Sequence, residues 1–109
     1  MMELISINKE LLESSERLKN ASTELFALAR EKAQAEKAYR IALYKAIMEL
    51  KDAGEKVTLI PDLARGKTAD AKFQRDLADV RFTAGREALD AIKTQVSSLQ
   101  TILKYQTEV

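Results

Sequence analysis

Residues 50–68 read LKDAGEKVTLIPDLARGKT, and this stretch decides the fold. It holds the only proline of the chain, Pro61, and two of the three glycines, Gly54 and Gly66. Gly54 predicts the end of a helix, because glycine accepts the left-handed conformation that closes one. Lys51 lies in the preceding turn, where a cation suits the helix dipole. Pro61 biases Ile60 away from helix geometry. Pro61, Asp62 and Gly66 together predict a single helical turn: proline at its first position, an acid in the first turn, glycine as the exit. Val57, Leu59, Ile60 and Leu63 are too apolar for a free loop. They are expected to fold onto the end of a hairpin as a plug.

Upstream, a first helix is predicted over about residues 3–53. Leu4, Ile7, Leu11, Leu18, Ala21, Leu25 and Leu28 alternate between the a and d positions of one heptad frame, with Ser14 as its polar member. Past Leu28 the frame puts Lys32 inward. Tyr39, Leu43, Ile47 and Leu50 then carry the apolar stripe, which reads as a four-residue stutter. Asn20 is the one weak point: either the helix breaks there and folds back as a third helix, or it runs on uninterrupted and its opening turns pair with another copy, and the uninterrupted helix is the expectation. Glu13 with Arg17, and Glu36 with Arg40, stand as i,i+4 pairs in the favourable order, each contributing about 0.2–0.5 kcal/mol.

Downstream, a second helix is predicted over about residues 69–107. Thr68 is its expected N-cap, and Asp70 suits its positive end. Phe73, Leu77 and Val80 read as the first stretch of its stripe. Phe82, Leu89, Ile92, Val96, Leu99 and Leu103 read as the second, with Gly85 between them as either a tight crossing or a surface glycine. At about 1.5 Å per residue the helices measure roughly 75 Å and 60 Å. Folded back from the turn, the shorter helix is expected to run out first. That leaves the opening turn of the first helix without an intrachain partner. Leu4, Ile7, Leu11 and Leu18 are therefore the expected oligomerisation residues. The fold class is all-α: one domain over residues 1–109, built as a long antiparallel, coiled-coil-like hairpin and dimerised into a helical bundle.

The chemistry is narrowed by what 109 residues lack. There is no histidine and no cysteine. Helical di-iron sites need histidine, and the serines have no base to activate them. No catalytic residues, metal ligands or cofactors are assigned, and the expectation is a protein that is not an enzyme. Gly66-Lys67-Thr68 echoes the end of a phosphate loop, but Pro61 stands where that loop needs its first glycine and no strand precedes it. The net charge is +1, with both signs interspersed. Arg30, Lys32, Lys37, Arg40 and Lys45, with Lys72, Arg75, Arg81 and Arg86, could face phosphates, yet each is interleaved with Glu or Asp. Mixed charge of this kind reads more readily as a solvated face. No apolar run reaches the roughly 20 residues of a membrane span. The opening Met1-Met2-Glu3 has no basic or apolar leader, so a cytoplasmic location is expected.

The turn Thr58-Leu59-Ile60-Pro61-Asp62-Leu63-Ala64-Arg65-Gly66 also carries a resemblance. With the flanking EKAYRIALYKAIMELK and the Leu- and Gln-containing end of the second helix, it resembles small helical proteins encoded by phages and prophages of Gram-positive bacteria. The resemblance covers the last two thirds of the chain and brings no activity with it. It implies an accessory protein acting beside replication or recombination factors, or against a host or defence protein. Together with the residues this gives the functional expectation. Leu59, Asp62, Leu63, Arg65 and Lys67 at the tip form a contact surface for a protein partner, since loops on rigid scaffolds carry function. A nucleic-acid-binding accessory and a small virion assembly component are the alternatives.

Overall fold

A computed structural model describes residues 3–107. Three helices follow in order: α1 over Leu4–Asp52, α2 over Ile60–Lys67 and α3 over Ala69–Thr107. No strand occurs among the described residues. α1 passes Asn20 without a break. The chain divides into two compact units, one of residues up to 27 and from 83 onward, the other Leu28–Phe82.

In the first unit α1 and α3 lie antiparallel, with Arg17 Nη1 donating to Gln95 Oε1 at 3.1 Å. The heptad frame is visible as burial. Ile7 and Ser14 are buried on α1, and Leu11, Leu18, Ala21 and Leu25 are half-buried. From α3, Leu89 and Leu99 are buried, and Ile92, Val96 and Leu103 are half-buried. Gly85 is half-buried and takes the place in this frame between Phe82 and Leu89, so it is a seam residue rather than a surface one. Among the described residues no buried side-chain polar atom lacks a hydrogen-bond partner. Arg17 thus reaches across to α3, whereas Arg40 keeps the helical partner the sequence offers, Glu36, at 2.8 Å.

The expected overhang of the opening turns is corrected here. Twelve residues back from Arg17 and twelve on from Gln95 bring Ile5 opposite Thr107, so α3 reaches the start of α1. Ile7 is 0 % exposed within its own chain and has no surface left for a second one. Leu11 and Leu18 are half-buried, and Leu4 remains exposed.

The difference in helix length is taken up at the other end, in the second unit. Lys32 meets Asp79 at 3.0 Å, Glu31 meets Arg81 at 3.2 Å, and Glu36 approaches Arg75 at 3.8 Å. That register sets the first residue of α3, Ala69, opposite Ala42. Residues 43–52 of α1 therefore extend past α3, and α2 covers them. Ala46 and Leu50 pack with Ile60 and Ala64, and Leu43 and Ile47 close around this cluster. The apparent stutter has the same cause. Lys32, Ala35, Tyr39 and Ala42 keep the alternating three- and four-residue spacing and are all half-buried, so the frame does not shift. Leu43, Ile47 and Leu50 turn inward because a second neighbour lies there.

The first stretch of the α3 stripe is also corrected. Phe73 is 61 %, Leu77 41 % and Val80 64 % exposed. The residues that are withdrawn from solvent are Ala71, Arg75, Ala78 and Phe82, which continue the 3–4 spacing back from Gly85 and Leu89. Lys32 Nζ lies 4.9 Å from the Phe82 ring centre, and the Arg75 guanidinium 4.4 Å from that of Tyr39. Cation–π contact lets these charged residues occupy seam positions. Asp76, hydrogen-bonded to Arg75, raises that guanidinium above its already high range.

Candidate protein-binding site

The candidate site is the end of the second unit, and its geometry follows from how α1 stops. Gly54 has φ +77°. Its N–H donates to Lys51 O at 3.0 Å, and the Glu55 N–H donates to Leu50 O at 3.1 Å. This pair of bonds is the Schellman closure that a left-handed glycine permits. The chain then turns through Lys56, whose carbonyl accepts from the Leu59 and Ile60 N–H groups.

α2 is longer than the single turn expected. It begins at Ile60, runs through Gly66, and ends at Lys67. The bias that Pro61 places on Ile60 is outweighed by burial, since Ile60 is the large apolar residue of the α2 cluster. Proline near the helix start loses no intrahelical bond. Asp62 lies in the first turn, with Arg65 and Lys67 in the last, in the sense the dipole favours. Thr68 does not turn its side chain toward α3 as an N-cap. Its Oγ1 donates to Ala64 O at 2.8 Å, and its N–H donates to the same carbonyl at 3.1 Å.

Of the expected plug, Ile60 fills the role, joined by Ala64. Val57 is 81 % exposed, and Leu59 and Leu63 are exposed as well. The expected contact residues fall on different flanks of α2. Leu59, Leu63 and Lys67 recur at four-residue spacing on one flank, and Lys67 Nζ reaches Glu49 at 3.5 Å. Arg65 belongs to the other flank, where it pairs with Asp62.

That second flank borders a groove between α1 and α2 of about 360 Å³. Tyr39, Leu43, Ile47 and Pro61 supply apolar walls. Lys51 and Arg65 bring positive charge to it, Val57 forms an apolar lip, and no carboxylate lines it. Tyr39 and Lys51 were not among the expected site residues. They are far from the turn in sequence, and only the seating of α2 on α1 brings them to it.

The basic residues offered to nucleic acid are largely engaged. Lys32, Arg40, Arg75 and Arg81 each pair with a carboxylate. Tyr39 and Phe82 are faced by cations of their own chain. Among the described residues no cluster of carboxylates could hold a metal ion, and no helix is long and apolar enough to cross a membrane. Compared with known protein families, curated proteins and solved structures, the chain matches none.

Proposed function

We propose that this chain is a non-enzymatic protein-binding accessory that works through the end of its second unit. The observation that carries this reading is the α1–α2 groove: apolar walls, the Lys51 cation, the guanidinium of Arg65 paired with Asp62, and no carboxylate in its lining. Such a groove suits a partner segment with a large apolar side chain beside an acidic one. Its walls belong to helices already fixed by the cluster of Ala46, Leu50, Ile60 and Ala64, so little ordering entropy is lost on binding. The exposed Leu59 and Leu63 on the other flank of α2 widen the contact. In the setting that the phage resemblance implies, the partner is a host, defence, replication or recombination protein met in the cytoplasm. The nucleic-acid alternative has less support, because binding of that kind draws on several unopposed cations.

The test is a pull-down from host lysate, followed by titration of the captured protein against variants. Arg65→Ala and Val57→Asp are expected to weaken binding by about tenfold or more, the loss of one interface hot spot. Both residues are exposed, so helicity by circular dichroism should be unchanged. Binding that survives both substitutions would refute the groove as the contact surface.

A further inference from the structure

The α1–α2 groove offers a ligand few backbone partners. Along Tyr39, Leu43 and Ile47 the backbone is already hydrogen-bonded within α1, and Pro61 on the facing wall has no N–H to give. No strand occurs among the described residues, so an incoming segment has no sheet edge to extend. An extended segment would lay its own amides and carbonyls against Leu43 and Ile47, and each group left unpaired there costs free energy. A polyproline segment docks between several aromatic rings. Tyr39 is the one aromatic residue in this lining, and the Arg75 guanidinium already lies 4.4 Å from its ring centre. An α-helix satisfies its backbone internally and brings only side chains to the walls.

The groove also has a length and a charged end. Tyr39, Leu43, Ile47 and Lys51 follow at four-residue steps along one side of α1, a run of about 18 Å or three helical turns. The three apolar members are half-buried, so part of each is still open to a ligand. Among the described residues nothing pairs with Lys51. The Arg65 guanidinium is bonded to Asp62 through Nη1 and is largely exposed, which leaves its remaining donors for a second acceptor. We propose, taking the groove as the contact surface, that its occupant is an amphipathic α-helix of another protein, about three turns long, with a row of apolar side chains at three- and four-residue spacing and an acidic residue at the end that meets Lys51. Leu43 and Ile47 receive the apolar row, and Val57 covers its edge. A basic residue at the Lys51 end would face two cations, so charge selects the acidic helix and rejects the basic one.

The experiment selects binders to the full chain from displayed random peptides of about 15 residues, a length at which an isolated helix begins to hold. Such a library favours no conformation in advance. The enriched sequences should place apolar residues at three- and four-residue spacing with Glu or Asp at one end, and should gain helicity by circular dichroism on binding. Val57→Asp should weaken them by about tenfold or more. Lys51→Glu should abolish the preference for an acid. Sequences that depend on Val57 and Arg65 but alternate apolar and polar residues, or carry no acid, would leave the groove standing and overturn the helical occupant. A library without any helical binder would overturn it too. Binders indifferent to both Val57→Asp and Arg65→Ala would bring down the groove itself. A wild type that sediments at twice the chain mass, and loses that mass on Val57→Asp, would make the occupant a second copy and overturn the proposal.

Discussion

The two units use one spacing for opposite purposes. In the first, the inward positions hold Ile7, Leu11, Leu18 and Leu25 against Leu89, Ile92, Val96 and Leu99, and the seam is an aliphatic zipper. In the α1–α3 seam of the second, the same three- and four-residue steps deliver alanines, two aromatic rings and two cations, while Ile41, Leu77 and Val80 face out. Along both α1–α3 seams the helical register decides which residues are inward, and side-chain hydrophobicity alone does not. The zipper stabilises by burying area, the alanine seam by bringing backbones close.

Substitutions sharpen the contrast. The largest effect is expected in the zipper. Leu99→Ala should cost about 2–5 kcal/mol in chemical denaturation, as buried leucine truncations do. A loss below 1 kcal/mol would mean that the first unit is no better packed than the second. Ala78→Leu should cost about 1–3 kcal/mol, because a close seam has no room for three more carbons. If it stabilised the protein instead, the second unit would be loosely packed and the contrast would collapse. Asp79→Ala should change stability by less than about 1 kcal/mol, since both it and Lys32 are substantially exposed. A larger loss would move the weight of the second unit from its alanines to its charges.

Sequence reading reached the first unit more easily because only one face of α1 there could be inward. Leu4 through Leu28 define the frame, and burial from Ile7 onward follows it. The end of α1 was equally readable, because a left-handed glycine leaves few alternatives. The first part of α3 was not. Phe73, Leu77 and Val80 sit at i, i+4 and i+7, as good a helical stripe as Ala71, Arg75, Ala78 and Phe82, and far more apolar. Choosing the right one required carrying the frame backward from Leu103 through Gly85 instead of following the larger side chains. At the candidate site, Leu59 and Leu63 could be singled out from the turn. The groove could not, because Tyr39 and Lys51 meet Val57 and Arg65 only after α2 has folded against α1.

One residue, Thr68, separates α2 from α3, and both its amide and its hydroxyl are tied to Ala64. Its own carbonyl accepts the amide of Lys72 in the first turn of α3. The joint therefore has no slack. Any displacement of α2 is expected to carry the first turn of α3 with it, and deuterium uptake at the Lys72 amide is the measurement that would follow it.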